Sequence, residues 1–389
     1  MKKFIIMLLI TVSFSFVFSV VSVSASADVT PALAPNAKSV YLCDENCEVE
    51  MYSRNGTQRL PIASMVKIMT ALITMREIES KALSVDELIT ISETASGMGG
   101  SQMFLDTGLQ YPVGDLLKGV IVVSANDACV ALAERIAGNE EVFVAKMNET
   151  AAQLGMQNTH FANCTGLPAP DGYSCARDVA KMLSELVKYD LYHKYSTVWL
   201  EDYKHPDGRT TTMTNTNKLI RFYQGCDGGK TGFTNEALFC LAASAKKNDL
   251  RLISVVIGER ESKVRFNESK NLLNYGFANY ENKIFAKAKE NIGNVKVIGG
   301  VQDEIPFGVK EDLNVLSKKG SENSVKKVIE LKSLKAPVKQ GDNVGTIYLV
   351  KKDGGIVAEG ELVALCDAEK MNFGDIVRKI FGLWSVGSN

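Results

Sequence analysis

The stretch SMVKIMTALI, residues 64–73, begins with a serine that is followed three positions later by a lysine. Its apolar residues recur at intervals of three and four positions, which predicts a helix that is buried on one side. A lysine one helical turn after a serine brings an amine next to a hydroxyl, and an adjacent base activates a hydroxyl as a nucleophile. The stretch therefore predicts a core helix that opens on a reactive serine, Ser64.

The same S-x-x-K pattern occurs twice more, at residues 244–247 and 324–327. The first copy lies at the end of a predicted strand and the second in a lysine-rich surface segment, so both favour a structural interpretation. Ser64 alone begins an apolar helix, where the helix dipole and free backbone N–H groups favour a developing oxyanion. The context selects Ser64 as the candidate nucleophile and Lys67 as its base.

Two further motifs follow along the chain. Ser124-Ala125-Asn126 lies between an apolar run and a predicted helix, where an ordinary N-cap serine is the alternative interpretation. Lys230-Thr231-Gly232 lies where a late strand begins, and its glycine would let a ligand approach the backbone closely. Each motif alone is a weak signal. In the order S-x-x-K, S-x-N, K-T-G, they resemble the triple signature of serine β-lactamases and penicillin-binding proteins.

Sequence patterns place a helical block between two pairs of strands. Alternating apolar residues predict two early strands and two late ones, at residues 39–42, 49–52, 233–245 and 250–258. Helical patterns lie between these pairs and after them, at residues 113–122, 126–137, 141–154, 177–187 and 263–275. Because the strand pairs flank the helices, we expect one sheet in a single α+β domain of residues 28–280.

The composition changes in the last part of the chain. Residues 281–368 carry short Val, Ile and Leu strands between Gly, Asp and Lys turns, which predicts a small β-sandwich domain. Residues 369–389 place apolar side chains on one side of a helix: Phe373, Ile376, Val377, Ile380, Phe381 and Trp384. This pattern predicts an amphipathic tail that associates with a membrane surface, and docking of the tail on the sandwich is the alternative.

The N-terminus has the features of an export signal. Lys2 and Lys3 precede an apolar run at residues 4–23, and Ala25-Ser26-Ala27 supplies small residues for a signal peptidase. We predict a signal peptide of residues 1–27, with an uncleaved anchor as the alternative. The mature protein would then work at the extracytoplasmic face of the cell membrane or in the cell wall. A formal net charge of -1 provides no overall field for binding nucleic acid, and no such partner is expected.

The chain has 8 cysteines, all after the predicted signal peptide. Cys43 and Cys47 flank a turn between the two early strands, so a disulfide and a pair of free thiols are both open. The other six lack the spacing of metal ligands, which favours buried free thiols and no structural zinc: Cys129, Cys164, Cys175, Cys226, Cys240 and Cys366. The 3 histidines, His160, His193 and His205, show no metal-ligand pairing, which argues against a metallo-carboxypeptidase.

Beyond the three motifs, the chain resembles the low-molecular-weight D-alanyl-D-alanine carboxypeptidases over nearly all of residues 35–365. The stretches that carry this resemblance are 59–67, 124–134, 172–180, 215–234 and 251–276. The resemblance implies an α+β fold in which a penicillin-binding, β-lactamase-like transpeptidase domain precedes a β-sandwich and an amphipathic helix. It also implies peptidoglycan stem peptides ending in D-Ala-D-Ala as substrates, β-lactam antibiotics as covalent inhibitors, and no cofactor or metal.

The resemblance assigns roles residue by residue. Ser64 would attack the carbonyl of the penultimate D-alanine, Lys67 would take its proton, and Ser124 would relay a proton to the leaving amine. Substrate-binding roles would fall to Asn126, Lys230, Thr231, Phe233 through its backbone N–H, and Arg265. Asn126 would bond to Lys67 or to the substrate amide, and a surface ion pair is the alternative for Arg265.

Lys67 can act as a base only when it is neutral, so its pKa must fall well below the ordinary value. We expect burial and a second cation, Lys230, to lower the pKa together. Ala125 stands where the β-lactamase motif has aspartate, and no counterpart of the deacylating glutamate is evident. Deacylation is therefore expected to be slow, which would make penicillins inhibitors. A peptidoglycan DD-endopeptidase and a non-catalytic wall-binding homologue remain the alternative functions.

Overall fold

The computed structural model describes residues 32–320 and 325–386. The predicted signal peptide and Ser324 of the third S-x-x-K copy lie outside the described residues. The helices are α1 (Lys67–Glu79), α2 (Glu93–Ser96), α3 (Val113–Val122), α4 (Asn126–Ala137), α5 (Glu140–Gln153), α6 (Ala176–Leu186), α7 (Asp190–Ser196), α8 (Leu219–Phe222), α9 (Ser262–Asn279) and α10 (Phe373–Val386).

The strands begin with the early hairpin and end in the β-rich region. They are β1 (Ser39–Asp44), β2 (Glu50–Arg54), β3 (Leu88–Thr90), β4 (Gln110–Pro112), β5 (Leu200–Lys204), β6 (Thr210–Thr214), β7 (Cys226–Thr234), β8 (Leu238–Lys247), β9 (Leu250–Glu259), β10 (Tyr280–Ala286), β11 (Gly293–Ile298), β12 (Glu304–Val309), β13 (Leu313–Lys318), β14 (Lys326–Leu331), β15 (Leu334–Lys335), β16 (Asn343–Val350) and β17 (Ile356–Ala364).

A five-stranded antiparallel sheet forms the centre of the first domain. Its strand order is β2-β1-β9-β8-β7, so the early hairpin joins the late strands. Strand β1 pairs with β9 in a register that places Ser39 opposite Ile257. The prediction that both strand pairs share one sheet, with helices between them in sequence, is confirmed.

The central strand β9 is buried along its whole length because helices cover both faces of the sheet. Ile253 and Val255 belong to the apolar cluster of the helical block, which includes α1, α3, α4 and α6. Leu252 and Val256 point to the opposite face and pack in the cluster that contains Leu273 of α9. Because side chains alternate along a strand, successive residues of β9 pack in two different apolar clusters, one on each face of the sheet.

Two sequence predictions for this sheet need correction. Residues 233–245 were expected to form one strand, but β7 ends at Thr234 and β8 begins at Leu238. Lys230-Thr231-Gly232 therefore lies in the second half of β7 and not where a strand begins. Ser64 was expected to open a helix, and it lies instead in a 3-10 turn, Ala63–Val66, that leads into α1.

The C-terminal region is a β structure with its own apolar core. A two-stranded sheet, β10-β13, accompanies a six-stranded sheet in the order β14-β16-β17-β12-β11-β15. Val309, Val344, Ile347 and Leu362 lie in one buried cluster. These strands agree with the predicted β domain.

Helix α10 follows the β region and carries exposed apolar side chains. Phe373 is 82% exposed and Ile376 is 42% exposed. Asn372 and Asp375 cap the start of the helix reciprocally, since each backbone N–H donates to the side chain of the other residue. Ile380, Phe381 and Trp384, which belong to the predicted apolar side, lie beyond the described side chains. Within the described ranges, no helix is long and apolar enough to cross a membrane.

The eight cysteines are free thiols. Five of the six expected buried thiols are buried, and Cys366 is half-buried. The Sγ atoms of Cys43 and Cys47 lie 2.9 Å apart across the first hairpin turn. In the described parts of the chain, no group of three or more His, Cys, Asp or Glu residues is arranged to hold a metal ion.

Two buried carboxyl groups meet beneath the start of β1. Glu259, at the end of β9, is 1% exposed, and Glu268, on α9, is 3% exposed. One oxygen of Glu268 accepts hydrogen bonds from the backbone N–H and the side-chain amide of Asn36, at 3.0 and 2.8 Å. Burial, together with the neighbouring charge of Glu268, raises the pKa of Glu259 to about 8. Glu259 is therefore protonated in the folded protein at neutral pH.

Glu259→Gln is expected to stabilise the folded protein at pH 7–9. In the unfolded chain Glu259 ionises near its ordinary pKa of about 4.3, so between that pH and about 8 the folded state holds one extra proton. The free energy of unfolding must therefore fall as pH rises through this window. The variant should gain on the order of 2–4 kcal/mol at pH 8 and little at pH 4.5, as measured by urea unfolding. Exposed Glu281→Gln is the control, and parallel pH curves for Glu259→Gln and the unmodified protein would contradict the expectation.

Candidate active site

Close backbone contacts shape the turn that carries Ser64. A Cβ atom on Gly232 would lie 2.7 Å from the carbonyl oxygen of Ile62 and 3.2 Å from the backbone nitrogen of Ser64. A Cβ on Gly166, whose φ is +78°, would lie 2.1 Å from the carbonyl oxygen of Ala63. The glycine of K-T-G is therefore required by the turn before Ser64, whereas the sequence suggested the approach of a ligand.

Lys67 lies at the start of α1 with its amine directed at Ser64. Its Nζ is 3.1 Å from Ser64 Oγ and donates to the carbonyl oxygen of Thr165 at 2.6 Å. The side chain is 1% exposed, and this burial lowers the pKa of Lys67 below its ordinary value. An amine with a lowered pKa at hydrogen-bond distance from a serine hydroxyl is the arrangement that general-base activation requires.

A turn shaped by Asn163 presents the Thr165 carbonyl to Lys67. The Oδ1 atom of Asn163 accepts from the backbone N–H groups of Thr165 and Gly166, at 3.2 and 2.6 Å, and from the Thr165 hydroxyl at 3.1 Å. Its Nδ2 atom donates to the carbonyl oxygen of Leu167 at 2.9 Å. One side chain thus fixes the backbone atom that orients the amine of Lys67, although it does not itself contact that amine.

Asn163→Ala is expected to slow acylation by benzylpenicillin about tenfold, because a misplaced Thr165 carbonyl leaves the Lys67 amine poorly oriented. Loss of an acceptor for the charged amine also lowers the pKa of Lys67, so the acidic limb of the rate–pH profile should move to lower pH. Stopped-time acylation assays at a series of pH values measure both effects. Asn163→Asp keeps the accepting oxygen but adds a negative charge and loses the donor to Leu167, so its acidic limb should instead move to higher pH. A fall in thermal stability with an unchanged pH profile would reduce Asn163 to a structural role.

Lys230 lies on β7 beside Lys67. It is 4% exposed, and its Nζ donates to the carbonyl oxygen of Thr231 at 3.0 Å. Burial is the main reason why the pKa of Lys230 lies well below its ordinary value, and the positive charges of Lys67 and Arg265 lower it further. The two lysines line one small cavity with Tyr192 and Gly229. The two lysines are therefore neighbours as expected, but the pKa of Lys67 is lowered by burial, and the expected contribution of Lys230 to that shift is not found.

The S-x-N motif forms a strained connection between α3 and α4. Ser124 is 4% exposed and has a φ of +66°, a conformation that is unfavourable for a residue with a Cβ atom and that clusters at functional sites. Asn126 holds the loop of residues 97–101, since its Nδ2 donates to the Gly99 carbonyl at 2.6 Å and its N–H to that of Ser101 at 2.7 Å. Its Oδ1 atom is buried and without a hydrogen-bond partner. The contacts of Asn126 are thus to a loop, where Lys67 was one of the expected partners.

Asp127 fixes the same loop and was not selected from the sequence. Its two carboxylate oxygens accept from the backbone N–H groups of Met103 and Leu105, each at 3.1 Å. The residue is 0% exposed, so both hydrogen bonds are shielded from water. A signal was available in the sequence, because a charged residue inside the apolar first turn of α4 requires partners.

Arg265 lies on α9 and reaches the strand that carries K-T-G. Its Nη1 donates to the carbonyl oxygens of Gly232 and Cys240, at 2.9 and 3.1 Å. The guanidinium also lies over the rings of Phe239 and Phe266. The side chain is 8% exposed and burial lowers its pKa to about 10, so the alternative of a surface ion pair is wrong.

Phe233 and Thr231 complete the set of expected residues on β7. Phe233 is 50% exposed, and its ring stacks on that of Phe239 with the centroids 4.3 Å apart. Thr231 is buried beside Lys230. A groove adjoins this strand and the turn before α1, and its lining includes Ala63, Asn163, Leu167, Tyr173, Thr234 and Glu236.

Known proteins are similar to this chain in sequence and in fold. The family model described as D-alanyl-D-alanine carboxypeptidase matches residues 24–261, and the model described as penicillin-binding protein 5, C-terminal domain, matches residues 280–370. The D-alanyl-D-alanine carboxypeptidase DacF of Bacillus subtilis is 40% identical over 358 residues, which cover 92% of this chain and 92% of that protein.

Two other relatives show the same extent of similarity. The D-alanyl-D-alanine carboxypeptidase DacA of Escherichia coli is 32% identical over 364 residues, with 90% of this chain and 89% of that protein covered. The crystal structure of penicillin-binding protein 5 from Haemophilus influenzae has a TM-score of 0.65 at 34% identity, over 86% of this chain and 98% of that one. The similarity thus extends through both the sheet-and-helix domain and the β region.

Proposed function

Because the chain belongs to the D-alanyl-D-alanine carboxypeptidase family, we propose that it removes the terminal D-alanine from peptidoglycan pentapeptides through an acyl-enzyme on Ser64. The protein is a serine hydrolase of that family, a penicillin-binding D-alanyl-D-alanine carboxypeptidase. The observation that carries the proposal is the buried Lys67 amine, 3.1 Å from Ser64 Oγ. No cofactor is required for this chemistry.

The proposed acylation uses Ser64, Lys67 and the strained Ser124. Ser64 Oγ attacks the carbonyl carbon of the penultimate D-alanine while Lys67 takes its proton. Ser124 passes a proton to the nitrogen of the departing D-alanine, so that the peptide bond breaks as the ester forms. Water then hydrolyses the ester and releases the shortened stem peptide. The backbone N–H groups of Ser64 and Phe233 are the proposed oxyanion donors, which their neighbouring positions on the turn and β7 support.

The terminal carboxylate of the substrate requires a cationic site. Lys230, Thr231 and Arg265 are the proposed ligands, and Asn126 is proposed to bind the substrate amide through its unpartnered Oδ1. The hydrogen bonds of Arg265 to the Gly232 and Cys240 carbonyls support this role, because they hold a forked donor against the K-T-G strand. The substrate carboxylate, placed beside Lys230 and Arg265, would also offset the cost of burying these two side chains in charged form.

A pair of substrates tests the proposed preference for a monomeric stem. With a pentapeptide ending in D-Ala-D-Ala, we expect release of D-alanine, measured by chromatography. With a cross-linked peptidoglycan dimer, little monomer should form. Rapid cleavage of the dimer without release of D-alanine from the pentapeptide would instead support the DD-endopeptidase alternative.

The domain limits and the compartment are also proposals. We propose a catalytic domain of residues 28–280, a β-sandwich of residues 281–368 and a tail of residues 369–389. The start of β10 at Tyr280 and the second family match, residues 280–370, support this division. The export-signal pattern and the match to D-alanyl-D-alanine carboxypeptidases support export by residues 1–27 to the extracytoplasmic face of the membrane. The exposed Phe373 and Ile376 support a tail that lies on the membrane surface.

Removal of residues 369–389 is expected to shift most of the protein from the membrane to the soluble fraction, because the exposed apolar side of α10 is lost. Immunoblots of cell fractions measure the shift, and N-terminal sequencing confirms that residues 1–27 have been cleaved. Phe373→Ala in the full chain should give a smaller shift in the same direction. A processed, truncated protein that stays in the membrane fraction would refute the anchoring role.

A further inference from the structure

Two thiols lie together at the turn of the first hairpin, on the opposite end of β1 from Ser39. The Sγ atoms of Cys43 and Cys47 are 2.9 Å apart, closer than unbonded sulfur atoms ordinarily approach. Cys43 is 0% exposed and Cys47 is half-buried, so one thiol is enclosed by the core and the other is open to solvent. Within the described residues, this is the one pair of cysteine sulfurs in direct contact.

The turn that holds the two thiols is fixed by hydrogen bonds of its own. The backbone N–H of Cys47 donates to the Asp44 carbonyl at 3.1 Å, and that of Val49 donates to the Asp44 carboxylate at 2.6 Å. Cys47 has a φ of +56°, and its Sγ lies against that of Cys43. The turn therefore already holds the two sulfurs 2.9 Å apart, and a bond of about 2.05 Å requires them to move less than about 1 Å closer.

The same turn is attached to the rest of the domain. The Ser184 hydroxyl on α6 donates to the Glu45 carbonyl, and the Glu45 carboxylate lies 3.2 Å from Arg251. Arg251 in turn pairs with Asp227 at the start of β7, at 2.5 Å. These contacts restrict the movement of the turn, so the two thiols are held close together by the rest of the domain as well as by the hairpin.

We propose that Cys43 and Cys47 are an oxidation site that forms a disulfide in the exported protein, with a disulfide-containing thiol oxidant as its reaction partner. The claim that the disulfide forms outside the cytoplasm rests on the proposed export. The claim that the two cysteines can form the bond rests on the positions of their sulfur atoms alone. In most exported proteins, adjacent thiols that meet an oxidising environment persist as disulfides.

The reaction proceeds by two exchanges. The solvent-facing thiol of Cys47 loses its proton and attacks the oxidant disulfide R–S–S–R, forming a mixed disulfide and releasing one thiol R–SH after proton uptake. Cys43 then attacks the Cys47 sulfur, and the second R–SH leaves. The protein loses two electrons and two protons, and both electrons reduce the oxidant. Burial raises the pKa of the Cys43 thiol well above its ordinary value, which explains why Cys47 reacts first.

The bond would close a ring of only five residues, 43–47, so its effect on stability should be modest. A short closed loop removes little entropy from the unfolded chain, and we expect the midpoint of thermal unfolding to rise by about 4 °C on oxidation. Catalysis should not depend on the bond, because the turn contains none of the residues assigned to the active site.

The test compares two samples of the full mature chain, one reduced with a phosphine and one treated with oxidised glutathione. Both samples are alkylated with N-ethylmaleimide and analysed by intact-mass and peptide mass spectrometry. The oxidised sample should have two fewer alkylated thiols than the reduced one, and its unalkylated mass should be about 2 Da lower. Peptide mapping should place the bond between Cys43 and Cys47. In Cys47→Ser, the linked peptide and the stabilisation should both be absent.

Two outcomes would overturn the proposal: full alkylation of both thiols after oxidation, or a stable glutathione adduct on Cys47 that never resolves. A bond from Cys47 to any other cysteine would overturn it as well. Penicillin acylation of the same samples reports separately on the active site, so failure of the disulfide and failure of the proposed function are distinguishable. Alkylation of the protein in intact cells then tests whether the bond forms after export. If the bond forms in vitro but both thiols are alkylated in cells, the claim that the exported protein carries the disulfide is refuted, and the claim that the two thiols can form it stands.

Discussion

Ser64→Ala is expected to abolish the covalent adduct that benzylpenicillin forms with the protein. In the proposed mechanism the Ser64 hydroxyl attacks the β-lactam carbonyl and opens the ring, and Ser64 is the one serine whose hydroxyl bonds to the Lys67 amine among the described contacts. Release of D-alanine from a pentapeptide should fall by at least about 10⁴-fold, because removing one member of a nucleophile–base unit removes the function of the unit. Intact-mass spectrometry of the chain from residue 28 onward, after brief exposure to the antibiotic, measures the adduct directly.

A matched control exists within the chain. Ser244→Ala alters the serine of another S-x-x-K string, at residues 244–247, but this serine bonds to Asp227 and Arg251 on the central sheet. The Ser244 variant should keep a single adduct even where its stability is reduced. An adduct on folded Ser64→Ala would show that the nucleophile is another residue. Absence of an adduct on the folded unmodified protein would contradict the acyl-enzyme mechanism and favour the non-catalytic wall-binding alternative.

Much of the fold and of the site could be predicted from the sequence because the decisive signals are local. Helix α3 and helix α4 begin and end where their apolar periods predict. Ser64 and Lys67 are separated by one helical turn, so their contact is set within four residues of the chain. The motif residues Ser64, Ser124 and Lys230 could likewise be selected by spacing and order alone.

The unpredicted parts of the site are long-range or belong to the backbone. The Thr165 carbonyl that holds Lys67 is 98 residues away in sequence, and a carbonyl group carries no residue identity. Gly232 suggested the approach of a ligand, yet the atoms closest to its missing side chain belong to Ile62 and Ser64. Asn126 was expected to bond to Lys67 or to the substrate amide, and its Nδ2 bonds instead to Gly99, because the path of the intervening loop depends on tertiary packing.

The proposed role of Lys67 as a base depends on the burial of its amine. The amine is 1% exposed, and desolvation is the largest cause that lowers the pKa of Lys67. The rate of acylation should therefore rise with pH through this lowered pKa, before the ordinary value of 10.5 is reached. Below that range the amine is protonated, cannot accept the Ser64 proton, and the reaction slows tenfold for each pH unit.

Lys67→Arg is expected to slow acylation by about 10³-fold or more at neutral pH and to remove this limb of the profile. A guanidinium is far more basic than an amine and stays protonated at neutral pH, so it retains the positive charge but cannot act as the base there. Second-order rate constants with benzylpenicillin between pH 5 and 10 measure both effects. The control is Lys188→Arg, since Lys188 has a half-exposed side chain on the surface and pairs with Glu185. If folded Lys67→Arg retains the rate and the pH profile of the unmodified protein, the proton of Ser64 leaves by a route that does not involve Lys67.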